Sequence, residues 1–382
     1  MLQHAYALEL AGHNCPLYIE GTGDQSTAVD TVERLFGYRF ARVSFGWDVI
    51  QPADIVMATI WYSAAVVRDL PFPCLKGYFV QDYEAMFNPM GDAYLMAENS
   101  YRYGLIPITI GRWLKHELAS RFRVPAYHFD FGADNRIYRP LGQPREQAIC
   151  FIYQPDKPRR CSRIGIEALG IVKHHRPDVK VYLYGSPVNE KGNVWFEHEH
   201  LGLLKLQDCN ALYNRCALGL CLSSSNPSRI PFEMMAAGLP VVEFWRTNNL
   251  YDMPPTAVSL SEQTPESLAE NILGLLADAN ERELMSQAGV AYMSGRPLQG
   301  ETEQFKTIIT RILNGQGPVL ETNPPLYDRP AVTAGKYVNT LPADIRQRLV
   351  LPANAYLNSL PVPLRRLLGW GARKARKLFL TY

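Results

Sequence analysis

The 382-residue chain has no run approaching the roughly 18 consecutive apolar residues of a membrane span. Its start, MLQHAYALELAGHNC, lacks a basic stretch followed by an apolar core, so no secretory signal is read there. CxxC pairs are absent. The seven cysteines (Cys15, Cys74, Cys150, Cys161, Cys209, Cys216 and Cys221) are odd in number and scattered, which argues against both a zinc site and a disulfide framework. Most read as small buried hydrophobes in a reducing cytoplasm, the compartment expected for the chain. A strong charge of one sign is missing too: the net charge is +2, so no nucleic-acid partner is expected.

What is present is globular in composition, with 47% hydrophobic and 20% charged residues, and long enough for two domains. Strand and helix patterns alternate, as in a parallel-sheet α/β protein. Leu2 to Ala11 reads as a helix stopped by Gly12, and Cys15 to Ile19 as a strand. Strands are expected over Asp54 to Ile60, Leu75 to Val80 and Leu105 to Ile110. Helices are expected over Asp92 to Tyr103 and from Gly111 to Arg121. Gln143 to Glu146 reads as a linker, giving domains at 1–143 and 144–315; beyond them 316–382 reads as a linker marked by Pro318, Pro324, Pro325 and Pro330 and a basic amphipathic tail. In the second domain Ala148 to Tyr153 and Val179 to Tyr184 read as strands, with Ile164, Leu169 and Val172 at helical spacing between them. Further helices are expected over Asp208 to Arg215, from Thr264, over Glu281 to Met293 and over Thr302 to Leu313.

The densest signal is LGLCLSSSNPSRIPFEMMAAGLPVVEF, Leu218 to Phe244. A strand-like run enters a Ser/Asn/Pro loop. A short helix, Pro231 to Ala237, follows and stops at Gly238, and a second strand begins at once. Proline suits the first turn of a helix and glycine its end. Free N–H groups at a helix start attract phosphate. Glu233 beside that start is suited instead to hydroxyls, as a sugar or ribose would offer.

This order of residues resembles the donor-binding signature of the family 4 glycosyltransferases, in which two Glu stand eight positions apart. Glu233-Met234-Met235-Ala236-Ala237-Gly238 with Pro240-Val241-Val242 fits its second half. Ser225 stands where the first Glu would be. The Asn-Pro-Ser loop with Pro231 is similar to the WsaF-type rhamnosyltransferase branch. Phe131-Gly132-Ala133-Asp134 with Tyr138 and Pro140 resembles the segment that closes the first domain of such enzymes.

The resemblance implies the GT-B architecture, two Rossmann-like domains facing across a cleft, here with a basic C-terminal tail. In that architecture a first strand would precede Leu2, so a longer native form is expected. The implied reaction is retaining and metal-independent, with a nucleotide-sugar as donor (dTDP-rhamnose by branch), no cofactor, and a glycan or lipid-linked glycan acceptor. Gln154 stands at the family's Arg position and Arg159, with Arg160 beside it, at the Lys position. A guanidinium can clamp a diphosphate at two points. Arg159, Arg160, Gly185, Ser225, Asn226 and Ser228 are therefore the expected donor contacts, with Glu233 on the ribose. Leu203 and Leu204 would hold the base through their main chain. Asp82 and Glu84, after the strand ending at Val80, are expected to orient hydroxyls or act as a base. Two other readings stay open: a catalytically silent sugar-nucleotide or glycan-binding subunit, favoured by Ser225 and Gln154, and another GT-B enzyme such as an epimerase or a phosphorylase. His198 and His200 make a poor metal site.

From Ala331 to Tyr382 nine Lys or Arg stand against one acid, Asp344, a net +8 that leaves −6 for the rest. Leu364 to Leu380 interleaves cations with Leu367, Leu368, Trp370 and Phe379. Such a stretch suits peripheral contact with an anionic membrane at the inner face of the plasma membrane.

Overall fold

The computed structural model describes residues 1–187 and 194–335. The basic stretch at 364–380 lies outside them. The first half runs α1 (Leu2–Leu10), β1 (Leu17–Ile19), α2 (Ala28–Phe36), β2 (Val43–Phe45), β3 (Ile55–Ala58), α3 (Trp61–Arg68), β4 (Leu75–Val80), α4 (Asp92–Ser100), β5 (Ile106–Ile110), α5 (Arg112–Phe122) and β6 (Tyr127–Phe129). Strands β3 to β6 form a parallel sheet in sequence order. Strands β1 and β2 pair in parallel with each other in a separate two-stranded sheet.

The second half runs β7 (Ala148–Ile152), α6 (Ser162–His175), β8 (Lys180–Tyr184), β9 (Glu199–His200), α7 (Leu206–Arg215), β10 (Leu218–Leu220), α8 (Ile230–Ala236), β11 (Val241–Phe244), α9 (Thr247–Leu250), β12 (Val258–Ser261), α10 (Pro265–Ala277), α11 (Ala279–Ser294) and α12 (Leu298–Leu313). Its six strands are parallel in the order β12-β11-β10-β7-β8-β9. Every residue of β7 is buried, as expected of a parallel strand covered on both faces. The chain leaves β7 toward β8 on one side, and β10 lies on the other. Ligands of open α/β sheets bind beyond the carboxyl ends of strands at such a reversal. Here those ends carry 153–161 and 221–229.

The boundaries shift for identifiable reasons. Strand β3 ends at Ala58 rather than Ile60, because the N–H groups of Thr59 and Ile60 both donate to Ser63 Oγ, each at 3.2 Å. That arrangement starts a helix. Helix α12 begins at Leu298, not Thr302. It packs back on α1 and β6 of the first half, with Phe305 among His4, Phe79 and Phe129.

The stretch after α12 is not the linker its prolines suggested. Tyr127 Oη donates to Gln316 O at 2.7 Å, and Lys115 pairs with Glu321. The N–H groups of Leu326 and Tyr327 donate to Leu250 O, and Val332 forms a parallel bridge with Ser261 at the edge strand β12. Residues 316–335 thus strap both halves.

Candidate functional site

The facing ends of the two sheets meet through buried carboxylates. Asp82, just after β4, accepts the Asn226 N–H at 2.7 Å and the Ser225 hydroxyl at 3.1 Å. Asn226 Nδ2 also donates to Gln81 O at 3.0 Å. Ser225 is fully buried and Asn226 nearly so. Asp252 sends its carboxylate the other way, onto the N–H groups of Arg112 (2.8 Å) and Trp113 (3.2 Å), and so caps α5. Burial pushes Asp252 up to about 6. Burial also raises Asp82, against its hydrogen bonds from Asn226 and Ser225.

A third carboxylate, Glu301 in the first turn of α12, gathers a dense set of partners. It accepts Arg229 Nη1 at 2.5 Å and Nη2 at 2.7 Å, the Gly132 N–H at 2.7 Å and Gln3 Nε2 at 3.0 Å. His4 Nε2 lies 2.9 Å away. Burial would raise Glu301, but Arg229 and His4 outweigh it and hold the group at about 2. Arg229 is legible in hindsight. A cation at the start of α8 opposes the helix dipole, so its charge is needed elsewhere.

Arg159 and Arg160 occupy a short 3-10 turn beyond β7. The Arg159 guanidinium lies over the Phe87 ring of the first half, 4.5 Å from its centroid. Its carbonyl accepts the Ser224 N–H at 2.9 Å. Arg159 Nε, Arg160 Nε and Arg160 Nη1 are buried and have no hydrogen-bond partner. Burial and then the neighbouring Arg160 charge lower Arg159. Two adjacent half-buried guanidiniums with unused N–H groups suit an anion, which would relieve both the repulsion and the orphaned donors.

Beneath them lies Glu243, a residue sequence reasoning missed. It is fully buried on β11 and accepts the N–H groups of Ser223 (3.0 Å) and Phe244 (2.8 Å), and burial pushes it up to about 8. It holds the first turn of the Ser/Asn loop in place. Inside a hydrophobic run it read only as part of a strand.

The other expected contacts divide. Glu233 is pushed up to about 7 by burial, against Arg229 and a hydrogen bond to Tyr138. Tyr138, noted in the segment closing the first domain, is thereby brought to Glu233. Gly185 ends β8 with φ +94°, and a Cβ there would meet Ile152 Cδ1 at 2.3 Å, so only glycine fits. Its N–H donates to Gly202 O at 2.8 Å, bringing the loop of Leu203 and Leu204 beside it. Leu203 is exposed, whereas Leu204 is half-buried. Gln154 Nε2 donates to Gly185 O at 3.1 Å, so Gln154 ties strand ends together where the family's Arg was expected.

Four of the expected site residues have partners that the sequence did not suggest. Ser225 and Asn226 engage Asp82 and Gln81 and so stitch the halves. Ser228 is nearly buried too, its hydroxyl accepting the Ile230 N–H at 3.4 Å at the start of α8. Glu84 is fully buried: it accepts the Trp61 N–H at 2.5 Å and the Tyr78 hydroxyl at 3.1 Å, and burial pushes it up to about 8. It fixes the start of α3 from within the core. Among the described residues no three His, Cys, Asp or Glu side chains converge as a metal site would need, and no helix is long and apolar enough to cross a membrane.

By fold the chain belongs to the GT-B class, with two parallel-sheet α/β halves. Sucrose-phosphate synthase from Thermosynechococcus elongatus superposes with a TM-score of 0.61 at 13% identity, over 82% of this chain and 92% of that one. The Anabaena protein Alr3699/HepE, solved with UDP and glucose, gives 0.59 at 14% identity over 82% and 95%. Residues 147–273 match the family described as WsaF, C-terminal domain. The O-antigen biosynthesis protein RfbC of Myxococcus xanthus is 32% identical over 199 residues, which are 51% of this chain and 16% of that protein. The chain therefore spans about a sixth of the length of that relative.

Proposed function

We propose that this chain transfers a sugar from a nucleoside-diphosphate sugar to a hydroxyl of a bacterial surface glycan. The observation that carries it is the Arg159–Arg160 pair, with buried N–H groups unused, at the strand reversal of a parallel sheet. RfbC is named for O-antigen biosynthesis, and HepE is solved with UDP and glucose; both are consistent with this donor and product class. In the proposed mechanism the leaving diphosphate is stabilised by Arg159 and Arg160 in a half-buried setting, where charge interactions are stronger than in water. Glu233 accepts ribose hydroxyls, and the Gly185 and Leu203–Leu204 backbones hold the base. The donor in this reading is dTDP-rhamnose, and the reaction is retaining and needs no divalent cation. A lipid-linked acceptor reached through the basic stretch at 364–380 completes it.

A second reading, a catalytically silent sugar-nucleotide-binding subunit, draws on the engagement of Asp82 by Ser225 and Asn226. The test is thermal stabilisation by thymidine, uridine, guanosine and adenosine diphosphates, followed by hydrolysis of the matching nucleotide-sugar. A selective shift, reduced in Arg159→Ala and in Arg160→Ala, is expected. A shift without turnover on sugar acceptors would favour the silent subunit, and no shift at all would sink both readings.

A further inference from the structure

We propose that Trp47, Trp61, Tyr62 and Glu20 form a platform that binds a pyranose ring of the glycan acceptor. This deepens the transferase reading and rests on it for the word acceptor; the platform itself rests on geometry. Glu20 follows β1, Trp47 follows β2 by one glycine, and Trp61 and Tyr62 open α3 after β3. Tyr62 Oη donates to Glu20 Oε2 at 2.8 Å. The Trp47 and Tyr62 rings lie 5.9 Å apart at 35°, and those of Trp61 and Tyr62 5.3 Å apart at 88°. Three strand ends thus deliver aromatic rings and one carboxylate to a single place. Strands β3 and β4 are parallel neighbours, so it is the sheet end that also carries Asp82 and meets the second half.

These rings are not enclosed by the core, although Trp61 packs against its edge. Trp113, Tyr78 and Tyr83 are fully buried, whereas Trp47, Trp61 and Tyr62 are only half-buried and Glu20 is exposed. Their backbone is nevertheless fixed. Buried Glu84 accepts the Trp61 N–H, and Ser63 Oγ holds Thr59 and Ile60. Gly46, at φ +90°, turns the chain after β2 while its N–H donates to Ile19 O at 2.8 Å, which sets Trp47 beside the end of β1. Rigid, partly exposed aromatics backed by one carboxylate match the chemistry of a sugar. The C–H face of a pyranose is electropositive and suits the negative face of an aromatic ring. Its hydroxyls suit a carboxylate acceptor. A site of apolar faces with a few placed polar groups binds and orients at once.

The experiment is a titration of the full chain with an α-linked rhamnose trisaccharide and with maltotriose, read by tryptophan fluorescence. Thymidine and uridine diphosphate binding is measured in parallel by melting. A saturable change at millimolar sugar is expected with at least one trisaccharide. It should weaken at least tenfold in Trp47→Ala, Trp61→Ala and Glu20→Ala, with the nucleotide shift unaltered. Glu20→Ala lies at an exposed position, so it reads the platform even where a tryptophan variant fails to fold. No saturable change with either sugar, or a change that survives in Glu20→Ala and in every folded tryptophan variant, overturns the platform. Loss of nucleotide binding alone defeats the transferase reading and leaves the platform standing if the sugar response persists.

Discussion

The carboxylate of Asp82 and the backbone N–H of Asn226, 2.7 Å apart, join the two halves across 144 positions of sequence. Ser225 donates to the same carboxylate. The relationship gives a physical reason why a serine stands where the resembled signature has a glutamate. A second carboxylate at 225 would be buried against the first.

Restoring that glutamate should therefore harm the protein. Ser225→Glu is expected to destabilise by about 3 kcal/mol, through like charge and overpacking at a fully buried position. Part of the loss should return on acidification, when one of the two carboxyls takes up a proton. Adding Asp82→Ser to Ser225→Glu should recover stability, and thermal melts of the single and double variants would show whether it does.

Glu301 carries the acid sensitivity. Its pKa is held at about 2, below its ordinary value of 4.5. The unfolded chain therefore binds the proton first as pH falls. The stabilisation is complete above the ordinary range and is lost as pH drops from about 4.5 toward 2. Glu301→Gln leaves Arg229 and His4 without their anion and should cost about 3–5 kcal/mol at neutral pH. The gap between variant and wild type should close on acidification in denaturant titrations run from pH 7 to 3.

Glu84 has the opposite sign. Its folded pKa, about 8, lies above the ordinary 4.5, so the native state holds the proton more tightly. Wild-type stability should then fall as pH rises from about 4.5 to 8, and Glu84→Gln should lack that slope. Near pH 4.5 the Gln variant should lie within about 1 kcal/mol of wild type, whereas Glu84→Ala should cost about 2–3 kcal/mol there by orphaning the Trp61 N–H and leaving a cavity. If Glu84→Gln lost activity while keeping its melting point, a catalytic role would have to be restored.

Arg159→Ala and Arg160→Ala should each weaken nucleoside-diphosphate binding about tenfold, or ~1.4 kcal/mol. Neither should lower the melting point of the unliganded protein, since each removes a neighbouring like charge. The wild-type affinity should also weaken with added salt. Isothermal titration at two ionic strengths checks both statements.

Co-sedimentation with anionic vesicles tests the basic stretch. The shortened chain should end at Gly335, because Val332 bridges β12 and the Ala334 N–H donates to Ser267 Oγ at 3.0 Å. Full-length chain should pellet and the shortened one should not; equal pelleting removes the membrane contact.

The periodic elements were legible, and the resemblance singled out Arg159 and Arg160 after the strand that begins at Ala148, but the strand order that makes a reversal there was not. Apolar runs and helical spacing report local burial, which is what parallel strands require. The use of each polar side chain was not legible. Glu84 follows a strand just as a catalytic acid would, yet it turns inward to Trp61. His4 and Gln3 meet Glu301 from nearly 300 positions away, and no local pattern encodes that. The prolines after α12 suggested a tether because proline breaks helices; the backbone bonds to Leu250 and Leu260 are invisible to composition.

The crossed carboxylates bear on how the molecule comes apart. Asp82 of the first half satisfies backbone of the second, while Asp252 and Glu301 of the second satisfy backbone of the first. Separated at the linker, each fragment would expose orphaned amides and uncompensated acids. Neither half is then a foldon in its own right: the two melt as one cooperative body, and amides on both sides of the divide share a single opening free energy in hydrogen exchange.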